Sequence, residues 1–134
     1  MSKYNLFLIT IAVAFIGNWI WNYNPRVGEL NDLLSEDVEL ANYPYQFTVM
    51  ELKDGNAIMS SPRSAQVSVL KFLSIVKPEL RNMDSDSPEV IAAQKELAKL
   101  QSKAKKLILI QADVNRVSWK IDKSWFSSYG VYLD

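Results

Sequence analysis

The patterning of this chain predicts an α+β protein: an N-terminal transmembrane helix, then one small domain in which a short antiparallel sheet, a hairpin plus a third strand, packs against about three helices. Three observations carry this expectation. Tyr4 to Trp21 is almost wholly apolar and has no charged side chain, which is about the length a bilayer requires. Two apolar, branched segments flank Lys53-Asp54-Gly55-Asn56, and Asp-Gly accepts the positive φ of a tight hairpin turn. Three later segments repeat apolar residues at spacings of three and four, the period of an amphipathic helix.

Lys3 precedes the apolar run, and the next positive charge, Arg26, is soon outnumbered by Glu29, Asp32, Glu36, Asp37 and Glu39. Basic residues resist translocation, so this order places the amino terminus in the cytoplasm and the domain outside, as a single-pass inner-membrane protein with a periplasmic domain. Tyr4 would mark the inner headgroup level, and Trp19, Trp21 and Tyr23 the outer one. Ala12-Val13-Ala14 also fits a small-x-small cleavage site, so secretion after signal-peptide removal is the alternative. Only a short apolar stretch precedes that triplet, and cleavage would leave Phe15, Ile16, Trp19, Ile20 and Trp21 on the new terminus. The expected division is an anchor over 1–23 and a domain over 24–134.

Asn24-Pro25 opens the first helix of the domain, with Asn as cap and Pro at the first helical position. Val27, Leu30, Leu34, Val38 and Ala41 give its buried stripe, and Tyr43-Pro44 ends it. Gln46–Leu52 and Asn56–Ser60 read as the hairpin strands. Ser61-Pro62 restarts a helix that runs to about Val76, with Val69, Phe72, Leu73 and Val76 on one face. Ser87-Pro88 opens a long helix with Val90, Ala93, Leu97, Leu100, Ala104 and Leu107 inward, lysines towards its end, and Asp113 as its limit. Val114–Ile121 is the third strand and Ser124–Tyr129 a terminal helical turn. Leu73 and Leu97 are the expected core centres, and Trp119, Trp125, Phe126, Tyr129 and Tyr132 supply core and lid, with an aromatic binding face as the alternative.

Fifteen basic and fifteen acidic residues leave no net field to attract nucleic acid. The chain contains neither cysteine nor histidine, which excludes disulfides, thiolate metal sites, thiol catalysis and a Ser-His-Asp arrangement. No cofactor is implied. Acids dominate Arg26–Asp54 and bases dominate Arg63–Lys106, a pattern that can orient a domain on a partner or simply form two solvated faces.

Asp84-Ser85-Asp86 sets two carboxylates one residue apart, close enough to share a divalent cation. The calcium-loop pattern fails at Pro88 and no glycine-rich turn accompanies it, so a solvated loop feeding the Ser87 cap is the simpler expectation. Ser68-Val69-Leu70-Lys71 spells Ser-x-x-Lys without the companion motifs of that enzyme class. Ser60, Ser61, Arg63 and Ser64 gather hydroxyls and a guanidinium at an expected helix start, where an anion or an anionic partner could bind. These features lead to the expectation of a membrane-anchored accessory or interaction protein, its domain monomeric and its partner a protein. The alternative is a small membrane-tethered enzyme or ligand-binding domain acting on a phosphorylated or carbohydrate substrate through Asp84/Asp86 or Ser61/Arg63.

Overall fold

The structure, a computed structural model, describes residues 3–22 and 25–133, with side chains described over 3–16 and 25–133. Asp54 and Gly55 both take positive φ, 52° and 79°, the left-handed pair that matches a two-residue turn to the twist of its strands. They join β1 (Val49–Lys53) to β2 (Asn56–Ser61) as an antiparallel hairpin. The Gly55 carbonyl accepts from the Asn115 and Arg116 N–H groups at 2.7 and 3.2 Å, and this starts β3 (Arg116–Ile121) alongside β2. A Cβ at Gly55 would collide with the Asn115 side-chain amide. The turn therefore needs glycine for its φ and for the close approach of β3.

The sheet order is β1-β2-β3, and β3 runs parallel to β2, with Met59 opposite Trp119 and Ser61 opposite Ile121. The expected antiparallel sheet is thus corrected to a mixed one. Two helices, α4 (Val69–Val76) and α5 (Pro88–Leu109), lie between β2 and β3, and a crossover of that length returns the chain to the end from which β2 started, as parallel pairing requires. At the opposite edge of the sheet, α2 (Pro25–Glu36) lies against β1. There the Asn31 side chain takes both backbone groups of Val49, accepting from its N–H at 2.6 Å and donating to its carbonyl at 3.1 Å.

The single helix expected before Tyr43 is two, α2 and α3 (Val38–Asn42). Asp37 separates them because its backbone is extended and its carboxylate caps α3 by accepting from the Leu40 N–H at 3.1 Å. The helix expected from Ser61 begins only at Val69, since Ser60 and Ser61 complete β2 and Ser68 is the residue that caps α4. α5 opens where expected, with the Ser87 hydroxyl accepting from the Val90 N–H and Pro88 first in the helix. It ends at Leu109, short of Asp113, and a last helix, α6 (Lys123–Ser128), is capped by Asp122.

Helices and sheet close over one core. Leu97, Ala104, Ile108, Phe72, Met59 and Phe126 are fully buried, and Leu73 nearly so. Tyr45 stands at the centre of an aromatic group, with Phe47, Phe72 and Trp125 edge-on to it at 5.1, 5.9 and 5.7 Å. Its hydroxyl donates to the Asp122 carboxylate at 2.9 Å. Burial first, and then the negative Asp122, raise the Tyr45 pKa far above the ordinary phenol value, so the ring stays neutral in the core.

The acidic early segment meets the basic α5 directly. Lys103 bridges Asp37 and Glu39 at 3.0 and 2.9 Å, and Lys99 reaches Glu39 at 3.3 Å. Arg26 pairs with Asp113 and Glu29 at 2.9 and 3.0 Å, tying the start of α2 to the segment after α5. Part of the charge asymmetry in the sequence is therefore internal complementarity, two acids of the early segment meeting two lysines of α5.

The membrane-spanning expectation is corrected. The N-terminal segment is helical, α1 (Lys3–Asn22), but among the described residues no helix is long and apolar enough to cross a membrane. Leu6 to Ile16 is the apolar part whose side chains are described, and Thr10 interrupts it. The single-pass inner-membrane placement with a periplasmic domain is withdrawn with it. Of the expected interface residues, Tyr4 is exposed, while the Trp19 and Trp21 side chains and Tyr23 lie outside the described residues.

Leu97→Ala should lower unfolding free energy by about 2–5 kcal/mol in urea titration, because the fully buried site leaves a cavity. Acid should act through Asp37, Glu39 and Asp113. The Leu40 N–H and Lys103 hold Asp37 below the usual carboxylate range, Lys103 and Lys99 do so for Glu39, and Arg26 does so for Asp113. A carboxylate with a lowered native pKa stabilises the fold above its unfolded pKa and ceases to do so as pH falls through the native value. Urea midpoints should accordingly be flat from neutrality to about pH 5 and fall below about pH 4. Asp37→Asn, which keeps a cap but loses the charge, should make that fall shallower.

Candidate functional site

A cleft of about 600 Å³ opens between α5 and β3. The exit of β2 contributes Ser61, Arg63 and Ser64, α5 contributes Gln101, Ser102 and Lys105, and β3 contributes Trp119. The α5 residues fall at intervals of three and four, so the helical period alone brings them to one stripe above the sheet. Pairing of Ser61 with Ile121 and of Met59 with Trp119 sets the exit of β2 beside the same end of β3.

A ring of hydrogen bonds holds the polar wall. Ser61, fully buried, donates from its hydroxyl to the Arg63 carbonyl at 2.9 Å and accepts from the Arg63 N–H at 3.2 Å. Gln101, 7 % exposed, donates from Nε2 to Ser61 Oγ at 3.2 Å, and Arg63 Nε donates to Gln101 Oε1 at 3.1 Å. Because Nε can only donate, the amide oxygen must face Arg63, which leaves Nε2 for Ser61. This ring fixes the plane of the guanidinium through Nε. Among the described residues neither terminal Nη of Arg63 has a hydrogen-bond partner, and the side chain faces solvent at the cleft mouth. The exposed Lys105 adds a second positive charge, and Trp119, with Phe47 edge-on at 6.1 Å, forms an apolar wall.

Of the residues singled out in the sequence, Ser61, Arg63 and Ser64 converge here and Ser60 does not. The buried Ser60 hydroxyl accepts from the Thr48 N–H and bonds Thr48 Oγ1, both at 3.0 Å, and so clasps the strands. The helix N–H groups expected at Ser61 belong elsewhere, since α4 begins at Val69, and Ser64 Oγ instead accepts from the Gln66 and Val67 N–H groups. Ser68 Oγ is engaged with the Leu70 N–H and Lys71 is exposed, so that pair has a capping role and a solvated one.

Asp84 and Asp86 are exposed in the loop before α5, and Ala98, the first α5 residue of the cleft, lies about 15 Å along the helix from its start. Among the described residues, no group of three or more acidic, histidine or cysteine side chains is placed to hold a metal ion. Gln101 went unnoticed in the sequence, where Lys105 reads only as a helix-end cation and Trp119 as one of an aromatic group. The signal for Gln101 was present: it lies four residues after Leu97 and directly follows Leu100, which sets an amide on the buried stripe of α5.

Gln101→Leu should remove the brace from Arg63. A cost of about 1 kcal/mol in urea midpoint analysis is expected from the lost bonds, together with faster solvent exchange of the Arg63 Nε–H in NMR spectra. The comparisons are silent on kinship: no family model matches the chain, and neither a curated protein nor a solved structure matches it.

Proposed function

We propose that the folded domain is a non-catalytic recognition module whose cleft binds an anionic oxygen group, a carboxylate or a phosphate, carried by a partner. The observation that carries this reading is the braced Arg63, exposed in the cleft lining, held through Nε and with both Nη groups without partners among the described residues. A guanidinium fixed in this way presents two donors in the fork that matches such groups, and its ordering cost is met before the ligand arrives. Lys105 supplies charge, and Ser102 offers an exposed hydroxyl. Among the described residues no carboxylate lines the cleft, so none of them would repel an anion there or serve as an acidic general base. Binding is favoured over catalysis for that reason, and because Asp84 and Asp86 stand apart from Arg63.

Calorimetric titration of the full chain with inorganic phosphate and with acetate tests the reading. Arg63→Ala should weaken both at least tenfold while lowering stability by only about 1 kcal/mol, the loss of one bond to Gln101. Lys105→Ala should weaken both less and reduce the salt dependence. Unchanged affinity in Arg63→Ala would end the proposal.

A further inference from the structure

The edge of the sheet beside the cleft is open in a regular way. Arg116 N–H donates to the Gly55 carbonyl and Asp122 N–H to the Ser61 carbonyl. In a parallel ladder the groups that face the neighbour come from alternate residues, so Arg116, Ser118, Lys120 and Asp122 face β2. Val117, Trp119 and Ile121 therefore direct their N–H and carbonyl groups away from β2, and among the described residues β3 has no strand on that side. Among the described residues none of those three amides has a hydrogen-bond partner outside the sheet. Trp119 lies on this edge and also in the wall of the cleft.

Resting on the anion-binding reading of that cleft, we infer that the partner is an extended acidic peptide, which pairs with the outer edge of β3 as a fourth strand and places its terminal carboxylate at Arg63. Strand addition satisfies the three outward residues by main-chain bonds, and side chains of the incoming strand alternate between the two faces. On one face they meet the exposed Arg116 and Lys120. On the other they meet the Trp119 side. An occupant that alternates acidic and apolar residues complements both. Asp122 is the sole acid within 116–124, and its carboxylate is engaged by the Tyr45 hydroxyl and the Trp125 N–H, so this edge is basic to an approaching chain. A second copy of this chain fits poorly, because antiparallel pairing of two β3 edges would bring Arg116 and Lys120 of both copies onto one face.

The test uses the full chain and the peptide acetyl-Glu-Val-Glu-Val-Glu-Val with a free carboxyl end. Its addition should slow hydrogen exchange of the Val117, Trp119 and Ile121 amides at least tenfold and leave Ser118 and Lys120, already bonded to β2, unchanged. Two control peptides are N-methylated, one at every valine and the other at every glutamate. Because only alternate residues of a strand face its neighbour, one control should lose at least tenfold in affinity and the other should keep it. Equal affinity of the two controls, absent protection, or protection without peptide in a dimer seen by sedimentation would each overturn the inference. Phosphate binding to wild type and Arg63→Ala separates the two layers: if it depends on Arg63 while the methylated peptides bind alike, edge pairing fails and the anion cleft stands. If it is indifferent to Arg63, the cleft reading itself fails.

Discussion

The Gly55 carbonyl is the contact on which the remainder depends. It lies in the hairpin turn and receives the Asn115 and Arg116 amides, where β3 starts, after a crossover of more than fifty residues. Bringing such distant segments together carries a loop-closure cost that local contacts cannot offset, so the chain needs a docking point that is already rigid when β3 arrives. A tight turn with two left-handed residues is such a point. From it follow the register of β3 on β2, the position of Trp119 against α5, and hence the existence of a cleft at all.

Within the cleft, three polar residues occupy a place where apolar side chains would pack as well. Ser61, Gln101 and Arg63 satisfy one another, and among the described residues no buried side-chain nitrogen or oxygen lacks a partner. A closed network of this kind is neutral to stability at best compared with a hydrophobic filling, but it admits one geometry only. It therefore specifies an orientation for the guanidinium that packing alone would leave free.

How much was legible in the sequence divides along the range of the interactions. The Asp54-Gly55 turn, the Ser87-Pro88 helix start and the burial of Leu73 and Leu97 follow from nearest neighbours and periodicity, and these hold. Parallel pairing of β3 does not, because it depends on where the crossover delivers the chain. The same is true of Ser61: its hydroxyl and the following proline resemble a helix cap, yet strand pairing with Ile121 overrides that local preference. Asp37 shows the converse, a cap signal hidden inside a continuous apolar stripe. At the amino terminus an apolar run suggested a membrane span, yet among the described residues no helix is long and apolar enough to cross a membrane. Arg63 was found by its charge and its neighbours, while Gln101, which gives it direction, was masked by the helix in which it sits.

The Asn31 amide on Val49 has a consequence for stoichiometry. By taking one N–H and one carbonyl of the β1 edge, it acts as a side-chain substitute for a neighbouring strand, and any chain approaching there must first displace it. The sheet is consequently asymmetric, stoppered at one margin and receptive at the other. Head-to-tail stacking of sheets requires two receptive margins per molecule, and the Asn31 contact disfavours the β1 margin for that role.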